Sequence, residues 1–359
     1  MFSDMQELSK RILTVGCAYK DPKGGIAQVL KSYDTYIFDR FRFVANSDGK
    51  GGKLRKLFTA VIALVKMVLL LIFDREIAIV HIHTASYRSF DRSAWFVRAA
   101  KLCGKKVVLH IHGGGFKNYY ATRPRFVSRI LDRCDCIIVL SESWRIFVQG
   151  VTECPNIRIL ENIIDDPVYL DSDRDGSVFR LLFLGLITQQ KGIFDLLEML
   201  SEHREEFEGK LRLHVGGNGE VDTLNRMIEE LHLHEIVEYE GWVSGDRKIE
   251  LFNLVDAYIL PSYVEGLPIS IMEAMSYGLP VLSTPVGGIP EVVSADNGIL
   301  FAPGNKEDMY VAVHDIMADN GKCAAMGARA KQICQSYLPC AVRKKLIDIY
   351  AEMLMHRGV

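Results

Sequence analysis

At 359 residues the chain is longer than one hydrophobic core usually serves, so two domains are expected. Hydrophobic residues at 49% and charged residues at 25% are ordinary for a globular chain and exclude the disordered and fibrous classes. The net charge of -2 conceals an asymmetry: residues 1–150 hold 25 Lys+Arg against 12 Asp+Glu, and the remainder 18 against 33. A basic half suggests an anionic partner such as anionic lipid, a lipid-linked diphosphate or nucleic acid. Eight cysteines without a C-x2-C pair argue against a zinc ribbon or a disulfide framework, and Cys134 and Cys136, two apart on an apolar strand, read as buried free thiols. The N-terminus shows no basic stretch followed by an apolar one, so a reducing, cytoplasmic compartment is the expectation.

In chain order, Arg11–Gly16 is an apolar run of strand length, and Gly24-Gly25 opens a helix after it. Adjacent glycines let backbone N–H groups approach a phosphate, or simply form a βα turn. Residues 57–73 are apolar on nearly every helical face, with Lys66 interrupting and Lys50, Lys53, Arg55 and Lys56 preceding. The run is short for a transmembrane span; a helix buried on the first sheet and one lying on an anionic membrane surface fit equally. Two strands then end alike, in His81-x-His83 and in His110-x-His112-Gly113. Alternation puts each histidine pair on one face of its strand. A metal site, satisfied core or rim histidines, and a sugar contact are the three readings, and no nearby carboxylate or Cys completes a ligand set.

A buried strand at Cys136–Leu140 and the segment Ile157–Asp165, which contains Asn162, close the first half. Asp171, Asp173 and Asp175, ahead of Gly176, read as a solvated linker rather than a D-x-D metal site, because no strand leads into them. Strand, glycine turn and helix recur at Phe179–Gly185, with Lys191 carrying a mobile cation toward any phosphate bound there. The turn at Gly216-Gly217-Asn218-Gly219 lacks the third glycine of a dinucleotide fingerprint, which disfavours an NAD oxidoreductase. No interleaving of aromatic and basic residues supports a nucleic-acid module.

The central stretch is Glu265-Gly266-Leu267-Pro268-x4-Glu273-Ala-Met-x2-Gly278-x-Pro280, followed by Thr284-Pro285-x-Gly287-Gly288-x-Pro290-Glu291. Pro268 fits a first helical position, and Gly278 with Pro280 is a stop signal. The two carboxylates then lie about 10 Å apart around a helix N-terminus, too far for a glycosidase dyad at about 5 Å. They suit the two ends of a ligand whose anionic middle rests on that N-terminus.

These residues resemble the donor-site signature of retaining glycosyltransferases of family 4, the "group 1" type. The resemblance implies an α/β GT-B fold, with two Rossmann-like doubly wound domains facing across a cleft. It implies an acceptor-binding domain at 1–168, a linker at 169–178, a nucleotide-sugar domain at 179–337, and a helix at 338–359 returning to the first domain. It places Glu265, His112 and Lys191 in catalytic roles, and Gly24, Gly25, Gly185, Val243, Gly266, Leu267, Pro268 and Glu273 around the donor. Val243 would meet the base through its backbone, with Trp242 free to lie in a core. Asn162 matches a family turn landmark, whereas Leu186 stands where the family commonly has Arg, which weakens the cationic clamp. The implied reaction moves a sugar from a nucleoside diphosphate to a glycan or polyprenyl-linked glycan, with no metal and no further cofactor. The alternative is a sugar-nucleotide-binding scaffold subunit.

Overall fold

The computed structural model describes residues 5–20, 25–48, 52–170 and 176–355, so Gly24, Lys50 and the Asp171–Asp175 linker lie outside it. The chain forms two compact units: Met1–Ile164 together with Tyr337–Val359, and Asp165–Ser336.

The first unit is built on β1 (Ile12–Cys17), β2 (Phe43–Ser47), β3 (Ile79–Thr84), β4 (Lys106–Ile111), β5 (Cys136–Val139) and β6 (Ile157–Ile159). They form one parallel sheet in the order β2-β1-β3-β4-β5-β6. Its inner strands are buried nearly throughout because helices cover both faces. The second unit repeats the plan with β7 (Phe179–Leu184), β8 (Leu211–Gly216), β9 (Val237–Gly241), β10 (Ala257–Leu260), β11 (Val281–Ser283) and β12 (Gly298–Leu300). Its order is β12-β11-β10-β7-β8-β9, again parallel. Each sheet reverses its winding once, at β1/β3 and at β7/β10, and open α/β sheets bind ligands beyond the strand C-termini at such points.

The helix Pro339–Met355 belongs to the first unit, where Val342, Leu346 and Tyr350 are buried. The apolar stretch is a longer helix than expected, Lys53–Phe73, of which Leu54–Phe73 is long and apolar enough to cross a membrane. One stripe of it, Ala60, Ala63, Met67 and Leu71, is buried against the first unit's core. The opposite side exposes Leu57, Phe58, Ile62, Val65 and Leu69 to solvent. Burial on the first sheet, one of the two fates that composition left open, thus holds for one face of this helix, and the other face is bare.

Candidate functional site

The site of the second unit starts at the β7/β10 switch point. After β7 the chain turns through Gly185, whose N–H donates to the Gly216 carbonyl at 3.0 Å. The short 3-10 turn Gln189–Lys191 follows, closed by Gly192 at φ +70. A Cβ on Gly192 would stand 2.1 Å from the Pro261 carbonyl oxygen, so only glycine lets this turn sit against the loop leaving β10. That contact brings Lys191 to Glu265, and the two form an ion pair. Ser262 also donates to Glu265, at 2.8 Å, and only 9% of the Glu265 side chain remains exposed. The loop is braced from β11: Ser283 donates to the Leu260 carbonyl at 2.6 Å, and Gly288 to that of Gly266 at 2.6 Å. Gly287, at φ +60, would carry a Cβ 2.3 Å from the Glu265 carbonyl, so the second glycine cluster of the motif exists to let these loops touch.

The helix behind the loop runs Ile269–Ser276. Pro268 is its N-cap, with ψ 125, not its first turn; Pro cannot cap through its side chain, so the first N–H groups are left for a ligand or water. Gly278 ends it at φ +79, as the motif indicated. Glu273 falls in the second turn and meets Lys248 at 2.6 Å. Burial pushes the Glu273 carboxyl up while the Lys248 ammonium pulls it back, and the same pair holds Lys248 above its ordinary value against burial. Burial outweighs the lysine, so the carboxyl stays above its ordinary value, and its partner is a lysine that no sequence spacing announced.

Leu267 is buried, which leaves its backbone as the part able to meet a ligand. Val243 packs against Gly216, where a Cβ would meet its side chain at 2.6 Å. Trp242, which the sequence allowed in a core, is 55% exposed because the chain leaves β9 and turns outward at Gly241, φ +72. Leu186 is likewise half exposed.

In the first unit, Gly25 opens the helix Gly25–Ser32 with free space around it. His112 lies just past β4, its N–H bonded to the Thr84 carbonyl at 2.9 Å. A Cβ on Gly113 would stand 2.8 Å from the Ser86 backbone, so this glycine lets the β3 and β4 exits pack together. Tyr87, in that exit, holds φ 53, a left-handed value that costs a bulky residue about 1–3 kcal/mol and that no sequence signal foretold. Burial holds the His112 imidazole down to about 3, opposed by Asn162. His112 is therefore neutral, with one ring nitrogen donating and the other accepting, and its Nε2 already pairs with His83 Nδ1 at 2.9 Å. Cys134 and Cys136 are buried free thiols, as read from their strand.

Residues 171–333 match the family "Glycosyl transferases group 1", and residues 31–166 match "Glycosyltransferase Family 4". The chain belongs to the GT-B glycosyltransferases. An uncharacterized glycosyltransferase of Methanocaldococcus jannaschii is 30% identical over 173 residues, 47% of this chain and 44% of that protein. A putative colanic acid biosynthesis glycosyltransferase, WcaL of Escherichia coli, is 27% identical over 199 residues, 52% of this chain and 48% of that one. The chain thus spans about half the length of the curated relatives it matches. Among solved structures, HepE of Anabaena, crystallised with UDP, shares the GT-B fold at TM-score 0.77 with 18% identity, over 95% of this chain and 100% of HepE.

Proposed function

We propose that this GT-B chain transfers a sugar from a nucleoside diphosphate to a hydroxyl of a glycan or lipid-linked glycan, with retention of anomeric configuration, in polysaccharide or glycolipid synthesis. The observation that carries the reading is the Lys191–Glu265 pair at the switch point, directly ahead of a helix whose first N–H groups have no side-chain cap. Charge grows on the departing diphosphate as the glycosidic bond breaks, and preorganised hydrogen-bond donors aimed at such charge do more for the rate than any other single device. Lys191 and the free N–H groups are such donors, with no metal required. Glu265, released from Lys191 by the phosphates, accepts hydroxyls of the sugar, and Glu273 accepts those of the ribose; in the first unit, His112 is the side chain this reading assigns to the donor sugar. Gly185 gives the diphosphate close backbone approach in the second unit, and Gly25, at the start of its helix, is the glycine of the first unit that this reading assigns to the donor. The crystallised UDP complex of a fold neighbour and the putative colanic acid biosynthesis role of a relative support the same direction.

The first unit, in this reading, rests on the cytoplasmic face of an anionic membrane. Exposed Arg55, Lys56, Lys66 and Arg75 border the bare apolar face of Lys53–Phe73, and an open groove of about 710 Å³ between Ile62 and Phe73 offers room for an acyl chain.

The test is a panel of nucleotide sugars incubated with the full chain, with and without a lipid-linked acceptor extract, reading nucleoside diphosphate and glycosylated product. Acceptor-dependent release of diphosphate is the expected result. Release that ignores acceptor sinks transfer in favour of hydrolysis. Binding without turnover leaves the scaffold alternative, to which exposed Leu186 in place of a cation would correspond.

A further inference from the structure

The histidines that the donor site does not use form a compact cluster of their own. His83 and His110 are register partners on β3 and β4, His81 lies two residues before His83, and all three are buried on one face of the sheet. Ring centroids stand 4.3 Å apart for His81–His83, 5.0 Å for His83–His110 and 5.5 Å for His81–His110. Three imidazoles bound to one tetrahedral ion, each nitrogen about 2.0–2.1 Å from it, place their centroids about 5 Å apart. One nitrogen from each ring already lies within 4.8 Å of the others. A tetrahedral ion asks for about 3.4 Å between them, so binding has to draw the rings closer together.

The hydrogen bonds around the cluster select which nitrogens stay bare. His81 Nδ1 pairs with the Tyr350 hydroxyl at 2.6 Å, and His83 Nδ1 with His112 Nε2 at 2.9 Å. The Nε2 atoms of His81 and His83 and both ring nitrogens of His110 have no partner. A ring that donates from one nitrogen to an outer partner offers the other as a lone pair, the arrangement typical of metal-bound histidine. The Tyr33 hydroxyl is also buried without a partner, and its ring stands edge-on to His83 at 5.1 Å. A π-helical segment, Tyr33–Ile37, brings it there, a local irregularity often found at functional positions.

We infer that His81, His83 and His110 bind one divalent first-row transition-metal ion, Zn²⁺ foremost, with Tyr33 or a trapped water completing a tetrahedron. Imidazole suits Zn²⁺, and a closed set buried in a sheet is a structural centre whose existence does not rest on the sugar-transfer reading. Through the His83–His112 hydrogen bond the ion fixes the tautomer of His112: His83 donates, His112 Nε2 accepts, and the proton of His112 stays on Nδ1, toward Asn162. Because the cluster is closed to solvent, the ion is taken up as the chain folds.

The full-length protein is refolded with Zn²⁺ or Co²⁺, desalted, and its metal content measured. One equivalent per chain, visible Co²⁺ bands of the tetrahedral type, and Zn²⁺ absorption-edge scattering that counts three imidazoles are expected. His83→Ala and His110→Ala should lose the ion, and Tyr350→Phe, which keeps every ligand, should bind it about 10–100-fold more weakly. Should the two histidine variants fail to fold, the scattering count on the wild type still decides. Metal below about a tenth of an equivalent, or metal retained by both histidine variants, overturns the site and leaves a hydrated or dry histidine cluster.

Discussion

Glu273 shows why one substitution must be read beside its partner. Removing its charge leaves the largely buried Lys248 ammonium with only the weaker attraction of Asp165, so Glu273→Gln should destabilise the chain by about 1–3 kcal/mol. That is below the usual range for a fully buried pair because 23% of Lys248 stays exposed. The double variant with Lys248→Met should regain most of this stability in urea unfolding but not the nucleotide affinity. Recovered affinity would show that Glu273 acts only as Lys248's partner. Lys191 is the opposite case, a cation expected to leave its carboxylate for a phosphate. Lys191→Ala should lower kcat about 10²–10³-fold, with a loss of stability because it leaves Glu265, 9% exposed, with Ser262 as its remaining partner; an unchanged kcat would remove Lys191 from the mechanism. Glu240 sets a pH dependence. Burial would raise its carboxyl, but hydrogen bonds from Arg247 and His214 outweigh that and hold it below the ordinary range. A depressed carboxyl adds stability that is present above its unfolded value, about 4.5, and is lost as pH falls through the folded one. Glu240→Gln should therefore be less stable than the wild type at pH 7, and the difference should shrink in urea titrations below about pH 4.

Among the elements, the helix Lys53–Phe73 carries a packed stripe and a bare face that can be altered separately. Phe58→Ser with Ile62→Ser alters only its exposed face, so stability should move by less than about 0.5 kcal/mol per site while sedimentation with anionic liposomes falls. Met67→Ala, on the buried stripe, should instead lose about 2–5 kcal/mol. Liposome binding indifferent to that double substitution would end the membrane proposal. Periodicity could not tell these faces apart, since a helix apolar all round carries no direction until its neighbours are known. The Gly192 turn makes a similar point at smaller size. Gly192→Ala should cost about 1–3 kcal/mol, because the left-handed backbone and the Pro261 carbonyl both exclude a Cβ, and it should weaken donor binding by displacing Lys191. Isothermal titration with UDP on the folded variant checks the second half of that expectation.

At the scale of the whole chain, a nucleotide that binds only the native state raises the unfolding free energy by about 2.7 kcal/mol at one hundred times its Kd. Melting the full protein with a set of nucleoside diphosphates should single out one base. The two sheets and their glycine turns were legible in the sequence because apolar runs of strand length and Gly-led helix starts report local backbone preferences. The pairing of Glu265 with the motif around it was legible through resemblance to a family. Other features were not. That Lys191 meets Glu265, that Lys248 secures Glu273, that Trp242 faces solvent and that Pro268 caps its helix all depend on how the loops and helices of the second unit meet. The histidines give the sharpest contrast. Alternation alone put His81 with His83 and His110 with His112, since side chains along a strand repeat every two residues. Only the β3–β4 register, with His83 opposite His110, gathered them into one buried group, because strand order is decided by which apolar faces the folded chain can cover together.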